Sequence, residues 1–271
     1  MKTTIKMVAI DLDGTLLQDD LKISMQDRHA IDRARRRGVK VVIATGRMYS
    51  TTVKYARDLD LDTPLICFNG AYITDIENKK KLEHYLISME YAKRIHQEVT
   101  RRGIHANYYL EDDIHVAELT ELAARYQERL AVPIHVEQDM QAFFEAHEEL
   151  TKITIQSKEE EEINSMARWI EKVWPKELYI VRSNAHFLEV SHPGITKATG
   201  VKRVAEEFGV QQEEIMCIGD NHNDLSMLEY AGIGVAMGNA DSEIKDKSDF
   251  VTECNKNNGV GLAIEKFVLE D

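Results

Sequence analysis

The chain has 271 residues, with 34 Lys or Arg and 47 Asp or Glu, so its formal net charge is −13. This acidic surplus argues against a general nucleic-acid-binding protein, which presents a basic face, and against adsorption to anionic lipid. Its apolar runs are too short for a transmembrane helix, and no signal peptide is evident at the N-terminus. Three widely spaced cysteines without metal-ligand spacing are typical of reduced thiols, so we expect a cytoplasmic location.

The first third of the chain alternates short apolar runs with helical patterns. Strands are predicted at 6–10, 39–44 and 65–68, with helices at 25–37 and 50–59 between them. Ser24, with Asp27 three residues later, is typical of a helix start, and Gly38 is typical of a helix end. Such alternation predicts a parallel sheet with right-handed crossovers.

The pattern changes after about residue 83 and returns at about residue 191. In between, a helix is predicted at 89–102, followed by strands at 106–110, 134–137, 152–156, 178–182 and 186–190, with helices near 119–130 and 160–174. Later elements are predicted at 198–208, 215–218, 225–230, 233–236 and 250–251. The sequence therefore predicts an α/β fold: a doubly wound parallel-sheet domain (1–83 and 189–271) with an inserted α+β domain at 84–188.

The strongest functional signal is the segment 11–15, Asp-Leu-Asp-Gly-Thr, which directly follows the first predicted strand. Ligands of open α/β sheets bind at the carboxyl ends of the strands. The repulsion between Asp11 and Asp13 requires a cation or a shared proton, and hard oxygen ligands favour Mg²⁺. Gly14 permits a turn that lets backbone amides face an anion. An Asx turn or a helix cap explains one aspartate but not the five-residue set.

Three further segments follow or adjoin predicted strands. The segment 45–47, Thr-Gly-Arg, suits a phosphate oxygen, and a helix N-cap threonine explains it about as well. Lys197 opens the helix predicted at 198–208, where a lone lysine is ordinarily solvated. The segment 219–224, Gly-Asp-Asn-His-Asn-Asp, also fits a helix cap when taken alone. Together the segments have the order expected of one site at the carboxyl edge of a sheet.

In this order, the segments resemble the four-motif signature of the haloacid dehalogenase superfamily of phosphohydrolases. Further segments are similar to the Cof-type sugar phosphatases with a type IIB cap: 68–71 (Phe-Asn-Gly-Ala), 187–190 (Phe-Leu-Glu-Val), 194–197 (Gly-Ile-Thr-Lys), 227–228 (Met-Leu) and 235–240 (Val-Ala-Met-Gly-Asn-Ala). Ala198 departs from this pattern, which has Gly. The resemblance implies an HAD-like Rossmannoid core, with the inserted domain closing over the phosphate as a cap.

The resemblance also implies the catalytic and metal-binding residues. Asp11 is the nucleophile that forms an aspartyl-phosphate, and Asp13 is the general acid and base. Asp11, Asp220 and the backbone carbonyl of Asp13 hold Mg²⁺, which offsets the repulsion between the nucleophile and the phosphate. Asp224 is expected to orient Lys197 or a metal-bound water rather than to bind the metal directly.

Binding of the phosphoryl group is implied for a second set of residues. Its members supply backbone amides, hydroxyls, an amide side chain and an ammonium: Leu12, Thr45, Gly46, Lys197 and Asn223. His222 within the fourth segment is interpreted as a solvated loop histidine. Candidate contacts to the rest of the substrate are polar and aromatic: Arg47, Asn69, Tyr108, Tyr109, His115 and His186. Seven of the ten histidines lie at 84–188, where no zinc-type spacing occurs and surface positions are expected.

These observations favour a Mg²⁺-dependent phosphatase, a phosphoric monoester hydrolase, for small phosphorylated metabolites, with sugar phosphates as the expected class. A phosphosugar mutase that uses the same aspartyl-phosphate is one alternative. A non-catalytic module that binds a phosphorylated ligand is another, although the presence of Asp11, Asp13, Lys197 and Asp220 argues against it. The expected partner is a small-molecule substrate, with no nucleic acid, membrane or obligate protein partner. Because the chain is acidic, Mg²⁺, Lys197 and backbone amides must supply a local attraction for phosphate.

Overall fold

The computed structural model describes residues 4–270, and the chain divides into two compact units. The first unit runs to Glu83 and resumes at Thr196, and the second is His84–Ile195. The predicted boundary between residues 188 and 189 was wrong, because it lies inside the strand Phe187–Ser191. Two strands of the second unit pair with that strand on its two sides, so the second unit extends beyond its end. Residues 1–3 and 271 of the predicted core lie outside the described residues.

Strands and helices alternate in the first unit. Its elements before the second unit are β1 (Met7–Ile10), α1 (Met25–Arg36), β2 (Lys40–Ile43), α2 (Tyr49–Asp58), β3 (Leu65–Cys67), β4 (Tyr72–Thr74) and β5 (Lys81–His84). Its later elements are α7 (Lys197–Phe208), β14 (Ile215–Gly219), α8 (Leu225–Tyr230), β15 (Ile233–Ala236), α9 (Ser242–Asp246), β16 (Phe250–Val251), α10 (Gly259–Ile264) and a terminal π-helix (Glu265–Leu269). Short 3₁₀ turns lie at Phe68–Gly70, Gln212–Glu214 and Asn255–Asn257.

The core sheet of the first unit has the strand order β16-β15-β14-β1-β2, with every neighbouring pair parallel. β3 adjoins β2 through a parallel bridge between Ala44 and Ile66 and pairs with β4 in antiparallel fashion. All of β1 is buried, as expected for a central strand with both faces covered. The predicted α/β class is confirmed, and the carboxyl ends of β2, β1 and β14 lie side by side.

Asp27 joins the beginning of α1 to α10. Ser24 caps α1, and its side chain accepts from the backbone amide of Asp27 at 3.0 Å. The carboxylate of Asp27 is buried and accepts from the hydroxyl of Ser24 (2.8 Å) and the backbone amide of Gly261 (2.6 Å). Burial raises the pKa of Asp27, although both hydrogen bonds favour its charged form.

Replacing Asp27 with Asn is expected to change how stability depends on pH. Because the folded-state pKa of Asp27 is raised, its stabilising contribution is present at low pH and is lost as pH rises through that pKa. The stability of the parent relative to Asp27→Asn should therefore fall between about pH 4 and pH 7. Urea unfolding at both pH values measures this difference. Asp32→Asn, on the exposed side of the same helix, is the matched control, and a pH-independent difference for Asp27→Asn would contradict the expectation.

The second unit is an α+β structure built on a six-stranded sheet. Its elements are β6 (Ile87–Ser88), α3 (Met89–Arg102), β7 (His105–Leu110), β8 (Asp113–Val116), α4 (Glu121–Leu130), β9 (Ile134–Val136), α5 (Met140–Ala146), β10 (Glu149–Leu150), β11 (Lys152–Gln156), α6 (Glu160–Val173), β12 (Tyr179–Asn184) and β13 (Phe187–Ser191). The strand order of the main sheet is β12-β13-β11-β7-β8-β9. The longest helices, α3 and α6, have 14 residues, and between residues 4 and 270 no helix is long and apolar enough to cross a membrane.

The two faces of this sheet differ in chemistry. Ile153 and Ile155 of β11 belong to an apolar core that also contains buried side chains of α3, α5 and α6. The alternate residues Lys152, Thr154 and Gln156 point to the opposite face and are also buried. The second unit therefore has one apolar face and one face with an unusual share of buried polar side chains.

Candidate active site

Asp11 lies directly after β1, at the carboxyl edge of the core sheet. Its backbone amide donates to the carbonyl of Ile218 at 3.1 Å, so the pairing of β1 with β14 continues into this loop. Gly14 has a φ of +81°, and a Cβ atom there would lie 2.3 Å from Oδ2 of Asp220. The hydroxyl of Thr15 donates to Oδ1 of Asp220 at 2.7 Å. The loops after β1 and β14 are packed together, and this approach requires glycine at position 14.

Buried Asp224 organises the loop after β14. Its Oδ2 accepts from the backbone amides of Asp220 and Asn221, both at 3.0 Å. Asn239, from the loop after β15, donates through Nδ2 to the carbonyl of Gly14 (2.9 Å) and to Oδ2 of Asp220 (3.4 Å). The side chain of Asp220 is therefore held by groups from two other loops, at Thr15 and Asn239, and its backbone amide by Asp224.

Lys197, the first residue of α7, is fully buried between two carboxylates. Its Nζ donates to Oδ1 of Asp11 and to Oδ1 of Asp224, both at 2.5 Å. The close approach of the helix depends on Gly70, where a Cβ atom would lie 2.4 Å from the carbonyl oxygen of Thr196. A lone lysine at a helix start is ordinarily solvated, whereas the structure buries Lys197 and brings it to Asp11. Its predicted role in binding the phosphoryl group stays a prediction.

Burial and charge crowding shift the pKa values of this cluster. Burial, with the neighbouring carboxylates of Asp224 and Asp220, raises the pKa of Asp11 well above its usual range, although Lys197 acts in the opposite direction. Burial, with Asp224, raises the pKa of Asp220 to about 7. Burial alone would lower the pKa of Lys197, but Asp11 and Asp224 outweigh it and raise that pKa. One ammonium group therefore does not neutralise the acidic cluster.

The residues present fit a hard divalent cation. Carboxylate oxygens of Asp11, Asp220 and Asp224 lie within 4.8 Å of one another. Asp224 uses one oxygen for Lys197 and the other for two backbone amides, so Asp11 and Asp220 are the better candidates for direct ligands. Clustered oxygen donors are the ligands that Mg²⁺ prefers, and a cation would oppose the forces that raise the pKa values of Asp11 and Asp220.

Asp13 forms a bidentate ion pair with Arg47. The guanidinium donates from Nε to Oδ2 and from Nη2 to Oδ1, both at 2.6 Å. Arg47 is buried, whereas the side chain of Asp13 is 41% exposed and retains access to solvent. Burial alone would lower the pKa of Arg47, but Asp13 raises it. Asp13 is thus held as a carboxylate on an open side of the loop.

The end of β2 is tied to the fourth segment through Asn69. The hydroxyl of Thr45 accepts from the amide of Arg47 (3.2 Å), and the carbonyl of Thr45 accepts from the amide of Asn69 (2.9 Å). Nδ2 of Asn223 then donates to Oδ1 of Asn69 at 3.0 Å. Asn69 has a φ of +56° within the turn at Phe68–Gly70, so this turn positions the side chain that joins the two predicted binding segments.

Leu12 and Gly46, which are predicted to bind the phosphoryl group, and His222 occupy the same sheet edge. Leu12 is buried, and its carbonyl accepts from the amide of Leu17 at 2.8 Å. The roles given to the Leu12 amide and to Gly46 stay predictions. His222 pairs through Nε2 with Oδ2 of Asp241 at 3.1 Å, so this half-exposed histidine connects the fourth segment with the N-cap of α9.

Sequence reasoning did not predict which two residues hydrogen-bond to the side chain of Asp220. It also did not predict which residue pairs with Asp13. Thr15 belongs to the first segment, but nothing in its position indicates a bond to a residue more than 200 positions away. Asn239 lies in a segment used only for the resemblance. Arg47 was expected to face the substrate, whereas its guanidinium binds Asp13. In the second unit, Tyr108 and Tyr109 are buried, with their hydroxyls bonded to His96 (2.9 Å) and Tyr126 (3.0 Å), so they are interior groups.

Comparisons with known proteins agree with this arrangement. The family model for haloacid dehalogenase-like hydrolases matches residues 8–264. The chain is 34% identical over 267 residues to the 5-amino-6-(5-phospho-D-ribitylamino)uracil phosphatase YcsE of Bacillus subtilis, with 98% of this chain and 96% of that protein covered.

Solved structures of haloacid dehalogenase-like proteins are also similar to this chain over nearly its full length. One is a haloacid dehalogenase subclass IIB sugar phosphatase, with a TM-score of 0.86, 26% identity and coverage of 97% of this chain and 98% of that chain. Another is a haloacid dehalogenase-like hydrolase from B. subtilis, with a TM-score of 0.87, 29% identity and coverage of 97% and 100%. The predicted resemblance is confirmed: this chain belongs to the haloacid dehalogenase-like hydrolases of the Cof type and is a phosphatase.

Proposed function

We propose that this phosphatase hydrolyses small phosphorylated metabolites, with sugar phosphates as the main class, through an aspartyl-phosphate on Asp11 and with the help of Mg²⁺. The observation that carries the proposal is the cluster in which Lys197 contacts Asp11 beside two further buried or half-buried aspartates. A carboxylate nucleophile divides one displacement into two easier ones. Small phosphorylated molecules are also the substrates named for the similar YcsE phosphatase and the subclass IIB sugar phosphatase.

In the proposed reaction, Asp11 attacks phosphorus with one carboxylate oxygen while the bond to the alcohol oxygen breaks. The ammonium of Lys197, 2.5 Å from Oδ1 of Asp11, orients the nucleophile and offsets the negative charge of the incoming phosphate. Asp224 holds Lys197 in this position from the other side. The amide of Leu12 and the residues Thr45 and Gly46 are proposed to bind the phosphoryl oxygens, and Asn223 to orient the phosphate.

Asp13 is proposed to protonate the departing alkoxide and then to take a proton from the attacking water. The carboxylate bound to Arg47 is the form required for the second step. The first step requires a protonated Asp13, which cannot keep both hydrogen bonds from a guanidinium. The proposed mechanism therefore requires Asp13 to give up at least one of its two hydrogen bonds from Arg47 once in each cycle.

Mg²⁺ is proposed to bind to Asp11, Asp220 and the backbone carbonyl of Asp13. When bound, it supplies positive charge that reduces repulsion between the carboxylate nucleophile and a phosphate dianion. The protein residues bind and orient the substrate, and Thr15 and Asn239 hold Asp220 in place. The second unit is proposed to act as the cap. The cytoplasmic location and the absence of nucleic-acid, membrane or obligate protein partners stay predictions.

The substrate proposal is tested by measuring phosphate release across a panel of hexose phosphates, pentose phosphates, phosphorylated vitamin precursors and pyridoxal phosphate. We expect the highest kcat/KM among sugar phosphates. Analysis of the products separates the phosphatase from a phosphosugar mutase, because a mutase yields the isomeric phosphosugar without free phosphate. A preference for phosphoproteins or nucleic acids over every small molecule would contradict the proposal.

Removal of the metal is expected to stop turnover of p-nitrophenyl phosphate, because Lys197 alone does not neutralise the acidic cluster. EDTA should abolish phosphate release, and added Mg²⁺ should restore it. Asp220→Asn should raise the half-saturating Mg²⁺ concentration at least about tenfold, since it removes a charged ligand. Titration of activity with Mg²⁺ measures both effects, with Asp62→Asn on the surface as the control. Full activity in EDTA would contradict metal dependence.

A further inference from the structure

Asn239 lies in the loop after β15, at the same sheet edge as the acidic cluster, and its side chain is exposed. It accepts at Oδ1 from the backbone amide of Asn255 at 3.1 Å. It donates through Nδ2 to the carbonyl of Gly14 (2.9 Å) and to Oδ2 of Asp220 (3.4 Å). Because these partners belong to the loops after β16, β1 and β14, this one side chain joins four loops.

The partners of Asn239 allow only one orientation of its amide group. The backbone N–H of Asn255 can only donate, so the atom that faces it must be the side-chain oxygen. The carbonyl of Gly14 can only accept, so the atom that faces it must be the side-chain nitrogen. Asp220 therefore meets an N–H donor at this position, and the backbone amide of Asn255 decides which end of the Asn239 side chain it meets.

Asn255 is itself held in place by neighbouring loops. It is buried at the start of a 3₁₀ turn, and its Nδ2 donates to the carbonyl of Leu17 at 2.8 Å, which ties the turn to the loop after β1. The loop after β15 packs against the same segment, since a Cβ atom on Gly238 would lie 2.8 Å from the backbone nitrogen of Cys254. The backbone amide that orients Asn239 is thus fixed by packing on two sides.

Both carboxylate oxygens of Asp220 accept hydrogen bonds from residues outside the acidic cluster. Oδ1 accepts from the hydroxyl of Thr15 at 2.7 Å, and Oδ2 accepts from Nδ2 of Asn239. Rotation of the carboxylate out of its present plane would break both hydrogen bonds, so the two donors fix its orientation. Hydrogen bonds of this kind orient the carboxylates that bind metal ions in proteins.

The orientation of a carboxylate ligand matters more for Mg²⁺ than for Ca²⁺. Mg²⁺ requires a nearly ideal octahedral arrangement with short bonds to oxygen, whereas the larger Ca²⁺ accepts longer bonds and irregular arrangements. A carboxylate that is free to turn can still bind Ca²⁺, but it meets the requirements of Mg²⁺ for only part of the time. Loss of an outer donor to Asp220 is therefore expected to weaken Mg²⁺ binding more than Ca²⁺ binding.

We propose that Asn239, oriented by the backbone amide of Asn255, is a positioning residue that makes the site around Asp220 selective for Mg²⁺ over Ca²⁺. Asn239 acts through Asp220, by holding one oxygen of its carboxylate. The inference rests on the proposed function, in which Asp220 binds the metal. It goes beyond that function because it assigns the choice between two cations to residues outside the acidic cluster.

Calorimetric titration of the metal-free full chain with MgCl₂, and separately with CaCl₂, tests the proposal without an assay of activity. Asn239→Ala should raise the Kd for Mg²⁺ at least about tenfold and the Kd for Ca²⁺ less than about threefold. Asn257→Ala is the matched control, because Asn257 is an exposed asparagine of the same 3₁₀ turn whose Nδ2 donates to Glu253 instead (3.4 Å). Both Kd values of this control should equal those of the parent.

The outcomes distinguish this inference from the proposed function. If the parent binds Mg²⁺ and Asn239→Ala binds it equally well, or loses affinity for both cations by the same factor, the selectivity role of Asn239 is overturned while metal dependence stands. If the parent binds neither cation, the proposed metal site is wrong and the inference is overturned with it. Because Asn239 is exposed, its replacement should leave the urea midpoint of the metal-free protein nearly unchanged.

Two variants of Asn255 test the orientation step. Asn255→Pro removes the backbone N–H that faces Asn239, at the first position of a helical turn, where proline is well tolerated. Asn255→Ala removes the same side chain but keeps the N–H. The proline variant should therefore bind Mg²⁺ at least about tenfold more weakly than the alanine variant, with a smaller difference for Ca²⁺. Equal Mg²⁺ affinities of these two variants would overturn the role given to the backbone amide of Asn255.

Discussion

Asp11→Asn is expected to lower kcat for p-nitrophenyl phosphate by at least about 10⁴-fold, the scale seen when a covalent nucleophile is removed. The amide nitrogen cannot form the acyl-phosphate, and the remaining carbonyl oxygen is a poor nucleophile. Asn keeps an oxygen that can accept from Nζ of Lys197, which lies 2.5 Å from Oδ1 of Asp11 in the parent. The substitution also removes one charge from a crowded acidic cluster, so we do not expect a loss of folded protein.

Single-turnover measurements with a quench separate this expectation from a general loss of activity. The parent should accumulate a phosphorylated, hydroxylamine-sensitive protein, and Asp11→Asn should not. Asp62→Asn is the matched control, because Asp62 is 72% exposed and pairs only loosely with Lys40 at 3.4 Å. If Asp11→Asn retained turnover within tenfold of the parent, the assignment of the nucleophile would be wrong.

The positions of the acidic residues of the candidate active site were predictable because the ends of short apolar strands can be recognised in a sequence. β1 and β14 are short, apolar and entirely buried, and both are followed at once by aspartates. In a parallel sheet the carboxyl ends share one edge, so the polar residues that follow these strands are expected there. The pairing of β1 with β14 could not be predicted in this way, because the sequence of a short apolar strand does not indicate which strand it pairs with.

The burial of Lys197 was not predictable from its own surroundings in the sequence. Lysine at a helix start is ordinarily exposed, and its position here depends on a glycine far away in the chain. Gly70 lets the turn after β3 approach the carbonyl of Thr196, and Gly200 contributes a similar close contact with Gly70. Contacts of this kind arise from the packing of distant segments, and local patterns do not encode them.

The boundary of the second unit was missed for a related reason. Alternating apolar and polar residues continue through 188–191, and the pattern of the core domain returns only a few residues later. Hydrogen bonding decides the matter: Glu189 and Val190 pair with β11 and β12 of the second unit. Lys152 also pairs with Glu189 at 2.9 Å across two strands of that unit, and both side chains are buried. The sheet to which a strand belongs depends on the strands that it pairs with, and sequence periodicity does not predict those partners.

Lys197→Met is expected to impair both stability and activity, because it removes the cation between two buried carboxylates. Removing one partner of a buried ion pair lowers the free energy of unfolding by about 3–5 kcal/mol. The loss of stability should be smaller at low pH. Without the ammonium, the pKa of Asp11 in the folded protein rises further. Below that pKa Asp11 is neutral, and its destabilising charge appears as the pH rises through it. Loss of the ammonium should also lower kcat at least about 10²-fold, as for other groups that stabilise transition-state charge.

Urea unfolding at pH 5.5 and pH 8, without added Mg²⁺, measures the stability effect. Lys22→Met is the matched control, because it removes an ion pair of 2.8 Å whose two side chains are exposed, and it should shift the midpoint little. The double variant Asp11→Asn/Lys197→Met should be more stable than Lys197→Met, since it removes a charge that the single variant leaves unpaired. Equal stability of these two variants would show that the ammonium of Lys197 does not compensate Asp11, and the electrostatic account of the site would then fail at its central contact.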